Sequence, residues 1–283
     1  MMLFIRSEKA ASVVISVVLL FGLLAGIAAI VNSMYIPEWR RSAEAEHMND
    51  LFEDLADFKS NADLIIAVSP DTERTITNKI RMGGGSIPVI SPAKSGGTLR
   101  TDTLRPDIFI AADNYSTTFT FLDLGSIELE SSNLYEVDRT YIYENGALIL
   151  SQMNRSIMVM MAPITLNKYN NGTNRLTVQL LNMSLKNSSI GSSGIEEIVF
   201  TYESSTVRFQ GLTNNVSLSI ATDYQDAWKE FFSDRAVNAG FDASEFDVST
   251  SGTVELNLYG DVELTVVETR ASGGIRPIIG TSQ

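Results

Sequence analysis

Cysteine is missing altogether, and histidine occurs once, at His47. Without thiols the chain has no disulfide staple, no thiolate zinc site and no cysteine nucleophile. A single histidine excludes a multi-histidine metal centre. It would also leave a Ser-His-Asp triad resting on one residue just past a hydrophobic segment, a place that suits a solvated helix face better. Basic charge is scarce too: 21 Lys and Arg stand against 34 Asp and Glu, a formal net charge of -13. Phosphate backbones are held by clustered cations, and no basic stripe occurs, so nucleic acid is not an expected partner. The acidity reads as a solvated surface that keeps an exposed protein soluble, with a cation-rich medium as the sharper alternative.

Catalytic signatures are equally thin. Carboxylates such as Glu196-Glu197, Asp242, Glu245 and Asp247 are scattered, and adjacent acids on a strand point to opposite faces, so no glycosidase pair is legible. Gly83-Gly84-Gly85-Ser86 lacks the Gly-Lys-Ser/Thr ending of a phosphate loop and reads as a joint between segments. No calcium-loop pattern occurs. The expectation is therefore a non-enzyme with no catalytic, cofactor-binding or metal residues and no cofactor; an extracellular enzyme is the minor alternative.

What the chain does have begins with apolar residues, 44 % of the total against 19 % charged, enough for a sizeable core. Its 283 residues accommodate one all-β unit with an N-terminal appendage. No residue between Lys9 and Glu38 is charged, and Ala11 to Val31 forms a nearly unbroken apolar run of the length a helix needs to cross a bilayer. Side chains such as Val14, Ile15, Leu19, Leu20, Phe21 and Leu24 favour insertion by about 4 to 8 kcal/mol in sum. Basic residues are split evenly, Arg6 and Lys9 before the run and Arg40 and Arg41 after it, so the positive-inside rule sets no orientation. The run is too long for an ordinary secretory signal, and its small residues lie inside the span.

The segment Arg6-Ser7-Glu8-Lys9-Ala10 followed by Ala11-Ser12-Val13-Val14-Ile15-Ser16 resembles the leader of archaeal type IV prepilins. In that family a short charged segment ends in a basic and a small residue directly before the hydrophobic helix. The resemblance implies a prepilin peptidase as partner and a cut between Ala10 and Ala11, with Lys9, Ala10 and Ala11 as the processing residues. Ala10 stands where glycine is commoner. The helix would remain on the mature protein and the rest of the chain would lie outside the cell. An uncleaved signal anchor is the alternative.

Beyond Pro37, Met48, Leu51, Leu55, Phe58 and Ala62 recur at helical spacing with acids between them, an amphipathic helix expected to lie on its own head rather than in a coiled coil. Pro37 is placed to kink the helix near the membrane surface. From about Asp107 the period becomes two. Strands are expected at 107–112, 117–122, 157–161, 175–181, 197–202, 206–210 and 215–221, with a hairpin about Asn145-Gly146 and a second about Gly260-Asp261. One helix interrupts them, opened by Thr222 and Gln225 as a capping box and stopped by Gly240; its stripe of Tyr224, Ala227, Trp228, Phe231 and Arg235 reads as core rather than ligand site.

The expected fold is thus a long N-terminal α-helix, part transmembrane or filament segment and part amphipathic stalk, followed by a mainly-β antiparallel sandwich-like head with one short helix. In segments these are a leader at 1–10, helix and stalk at 11–62, a connector with loops and short strands at 63–106, and the head at 107–283. Asn-x-Ser/Thr acceptors for glycosylation occur at Asn114, Asn154, Asn171, Asn182, Asn187 and Asn215, all beyond the helix. The functional expectation is a non-enzymatic cell-surface structural protein, pilin or pilin-like. It would be single-pass with the head outside, meeting other pilin subunits or envelope proteins through residues 11–62, in a filament or in adhesion. A permanently anchored binding module is the alternative.

Overall fold

The computed structural model describes residues 5–68, 72–86, 94–101, 106–113, 115–169 and 173–278. Its first feature is one continuous helix in three parts: α1 (Ile5–Ile30), a π turn (Val31–Tyr35) and α2 (Ile36–Val68). Pro37 has no N–H and deprives the Ser33 carbonyl of its α-helical donor. The chain widens just before it, and the Ile36 N–H reaches back five residues to the Val31 carbonyl. Pro37, the proline expected to kink the helix, thus coincides with a local change of helix type. From Ser12 this helix is long and apolar enough to cross a membrane, and none of its most apolar stretch is buried by the rest of the chain.

α2 behaves differently. Met48, Leu51, Leu55, Phe58 and Ala62 are all buried, so the stripe lies on the chain's own head. Phe58 packs edge-on to Tyr143 at 5.0 Å and to Phe200 at 6.1 Å between ring centroids.

The head is built from two sheets. Strands β1 (Arg74–Arg81) and β2 (Gly96–Thr101) come first, then β3 (Asp107–Ala112), β4 (Tyr115–Phe121), β5 (Ser126–Ser132), β6 (Thr140–Glu144), β7 (Ala147–Gln152) and β8 (Arg155–Met160). β9 (Ile164–Lys168), β10 (Asn174–Leu185), β11 (Ser188–Ser192) and β12 (Ile195–Ala221) follow. The helix α3 (Gln225–Asn238) then precedes β13 (Phe246–Thr250) and β14 (Val254–Pro277). An eight-stranded sheet runs β4-β3-β12-β14-β10-β9, with β1 on β12 and β13 on β14; a six-stranded sheet runs β11-β2-β5-β6-β7-β8. Among the described residues all pairings are antiparallel except β10 with β14, which run parallel from Asn174↔Val262 to Leu185↔Gly273. The helix runs past residue 62 to Val68, and the stretch read as connector supplies β1 and β2 to the two sheets.

The Asn145-Gly146 hairpin joins β6 to β7, both residues in the left-handed region at φ 43° and 74°. Gly260-Asp261 is different, and here the expected hairpin is wrong. β14 runs straight through, with Tyr259 and Gly260 standing opposite Asn215 alone on β12. Gly260 has φ 87° and donates its N–H to Asn215 Oδ1 at 2.9 Å. A positive-φ glycine serves a bulge as well as a turn, and neighbouring strand pattern cannot tell the two apart. In the same way the three strands expected at 197–202, 206–210 and 215–221 are one strand, β12; two of its three register shifts, at Tyr202/Ser204 and Asn214/Val216, fall at the breaks between them, and the third, at Val207/Phe209, falls inside the middle one.

Two buried clusters result. One gathers α2 with Ile80, Leu99, Leu129, Tyr143, Leu181 and Phe200; the other gathers α3 with Ile110, Ile149, Leu176, Leu218 and Leu256. β12 and β10 supply residues to both. In α3, Ala227, Trp228 and Phe231 are buried as expected, and Phe232 is buried beside them. Gly240 ends the helix at φ 84°, its N–H on the Val237 carbonyl and that of Phe241 on Ala236, which satisfies the last carbonyls. The expected capping box is not formed. Tyr224 occupies the N-cap without a side-chain bond, Thr222 accepts the Tyr224 N–H, and the Gln225 amide donates to the Gly252 carbonyl.

Candidate functional site

The junction between span and head is the best-defined site in the molecule, and it is made by α2. Glu44 lies four residues before Met48 on the apolar stripe and is buried. Its carboxylate accepts three successive backbone N–H groups from the β5–β6 loop: Leu134 at 3.1 Å, Tyr135 at 2.8 Å and Glu136 at 2.8 Å. Three charge-assisted bonds to one carboxylate offset its desolvation. One turn earlier, Arg40 lies over the Tyr135 ring at 5.3 Å from its centroid.

Opposite that loop, the chain leaving β1 is pressed onto the same helix. Arg81 Nη2 donates to Asp54 Oδ1 at 2.8 Å and Nε to Oδ2 at 3.0 Å, a fork-shaped pair; the Arg81 backbone N–H also donates to Asp54 at 2.9 Å. The bond to Asp54 holds the Arg81 guanidinium even more firmly in its charged form. His47, expected on a solvated face, is instead only 4 % exposed. It lies within 3.4 Å of the Met82 carbonyl, and burial lowers its pKa, partly opposed by that carbonyl. Gly84 and Gly85 permit this closeness. A Cβ on Gly84 would come within 2.3 Å of the His47 ring, and one on Gly85, at φ 70°, within 2.7 Å of Glu44 Cγ. The glycine run is therefore a packing surface for α2.

A second buried carboxylate joins α3 to the six-stranded sheet. Glu144 Oε1 accepts the Trp228 indole N–H at 2.5 Å and the Thr222 hydroxyl at 2.9 Å. Burial pushes its pKa up to about 7, partly offset by these two bonds. No third His, Cys, Asp or Glu joins it, and among the described residues no group of three or more could hold a metal ion.

The residues singled out from the sequence are not brought together. Lys9, Ala10 and Ala11 fall in the first turns of α1. Asn154 and Asn187 are exposed, in the β7–β8 turn and just before β11. Asn182 donates to Glu268 at 3.0 Å, and Asn215 donates to Asp113 at 2.7 Å while its Oδ1 holds the bulge, so both amides are committed. Asn114 and Asn171 lie outside the described residues. Of the scattered acids, Glu245 pairs with Lys168 at 2.7 Å and Glu197 with Arg276 at 3.7 Å. Glu44, Arg81 and Glu144 were missed in the sequence. For Glu44 a signal existed, an acid at the i−4 position of an apolar stripe; for the other two, the partners lie 27 and 84 residues away.

One protein family, described as a family of unknown function (DUF7289), matches residues 9–272. The chain belongs to this family. The DUF7289 match runs from the foot of the apolar helix to the late part of β14, so span, junction and head are all part of what defines it. No curated protein and no solved structure matches the chain.

Proposed function

We propose that this DUF7289 protein is a non-enzymatic surface protein of the type IV pilin kind, its apolar helix serving as membrane anchor and assembly element and its β-rich head lying outside the cell. The observation that carries this reading is a single helix whose first half is apolar and bare while its second half is sunk into a folded head. A soluble domain gains nothing from an unpartnered apolar rod of this length; a bilayer or a bundle of like helices supplies the missing contacts. Gly22, Ala25, Gly26 and Ala29 offer the small-residue contacts that such bundles use. Exposed sequons at Asn154 and Asn187 fit a glycosylated exterior.

The test is intact mass and N-terminal sequencing of the native protein, together with its fractionation. A chain beginning at Ala11 and present in filament fractions is expected. A native chain that retains Arg6 would leave only an uncleaved anchor, and absence from filaments would favour a permanently anchored binding module.

A further inference from the structure

We infer that the β5–β6 loop, residues 133–139, is a second membrane contact that seats the head on the headgroup layer of the bilayer crossed by α1. This rests on the anchoring half of the function proposed above. The loop exposes Leu134 at 62 %, Tyr135 at 39 % and Val137 at 39 %. It is not slack: Ser131 donates to the Arg139 carbonyl at 2.9 Å, Asn133 donates its N–H to Asp138 at 2.7 Å, and Glu44 holds the next three N–H groups. Its apolar side chains are therefore held outward by a braced backbone.

The position of the loop selects the occupant. Tyr35 and Trp39, both exposed and with ring centroids 6.0 Å apart, sit where the charge-free run ends, the aromatic pair that marks a membrane–water boundary. Arg40, stacked on Tyr135, follows Tyr35 by only about 7 Å of helix rise, and helical side chains lean toward the N-terminus. The headgroup layer is about 5 to 7 Å thick on each side, so a loop clasped to Arg40 and Glu44 lies at its level. The chemistry agrees: Leu134 and Val137 suit the acyl boundary, Tyr135 the interface, and Arg40 and Arg41 lipid phosphates. The backbone donors nearest the lipid are already spent on Glu44, so burying the loop there leaves none of these three unpaired.

Because the chain has no cysteine, single labels can be placed in the full-length protein. Leu134→Cys, Leu20→Cys and Leu212→Cys are each labelled with an environment-sensitive fluorophore and reconstituted into phosphatidylcholine vesicles. Leu212 is exposed on β12, far along the strand from the junction. The Leu134 label is expected to be quenched by lipids carrying a shallow nitroxide and shielded from aqueous iodide; the Leu20 label, near mid-span, to be shielded from iodide and quenched by a deep nitroxide instead; and the Leu212 label to be reached by iodide and by neither nitroxide. A Leu134 label quenched by iodide while the Leu20 label stays in lipid overturns the seat and leaves the anchor intact. A Leu134 label shielded from both quenchers only at high protein density also overturns it and gives the face to a second copy. A Leu20 label reached by iodide removes the anchor and the seat together.

Discussion

Along one continuous helix, the large apolar residues from Val13 to Ile30 are 44 to 68 % exposed, whereas the α2 stripe from Met48 to Ile65 is 0 to 9 % exposed. α1 is the more apolar half, but that alone does not say why one half is bare and the other buried. What does is where charge stands: α1 carries none from Ala10 onward, while α2 places Glu46, Glu53 and Asp57 on its exposed side and turns Met48, Leu51, Leu55 and Phe58 inward. A charge-free helix has no face for water, whereas an amphipathic one has a polar face for water and an apolar one that here is spent on the head. The π turn before Pro37 marks the change, and the aromatic pair Tyr35 and Trp39 flanks it.

The comparison can be broken from either side. The largest effect is expected from Phe58→Ala, which empties the space between Tyr143 and Phe200 and should lower head stability by about 3 to 5 kcal/mol in denaturant unfolding, with membrane partition unchanged. Loss of membrane binding in that variant would mean the halves are not separable. Leu20→Lys does the converse: a lysine near the centre of the span costs about 2.5 to 3.5 kcal/mol of insertion energy, so the protein should leave the membrane fraction while the head melts as before. Fractionation with membranes at the normal level would show that α1 is not the anchor.

A third variant sharpens the contrast by moving off the helix, to the cluster around α3. Burial keeps Glu144 in its acid form up to about pH 7, whereas in the unfolded chain it ionises near its ordinary 4.5. Its contribution is therefore fully present below about pH 4.5 and is lost as pH rises through 7, by up to about 3 kcal/mol. Glu144→Gln retains an acceptor for Trp228 and Thr222 and cannot ionise. It should match the parent at pH 4 and exceed it in melting temperature at pH 8; equal melting at both pH values would refute the buried-acid account. The smallest effect belongs to Arg81→Ala. The guanidinium is 44 % exposed and its pairing with Asp54 is screened by water, so about 1 kcal/mol is expected, read as a small shift in the unfolding midpoint.

Much of this was legible from residues that act locally. The span, the α2 stripe, the Asn145-Gly146 hairpin, the core face of α3 and its stop at Gly240 each depend on a few neighbouring residues. The failures share a different cause. Gly260 serves a bulge because Asn215, 45 residues earlier, accepts its N–H, and nothing near Gly260 announces that partner. His47 is buried because Gly84 lets the chain after β1 close over it. The junction was hidden for the same reason, since Glu44 meets its three donors about 90 residues later. The parallel pairing of β10 with β14 likewise joins segments separated by the whole of β12 and α3, and alternation alone carries no strand direction.

β12 and β14, paired for most of their 27 and 24 residues, pass between the two buried clusters. In a protein held at one end by its helix and pulled at the other, these strands are a load path. Tension along them acts across the inter-strand hydrogen bonds, which lie perpendicular to the antiparallel pair, so many bonds are strained together and none can yield alone. With no disulfide to carry force, such a load would fall on this ladder, which ties the two clusters together.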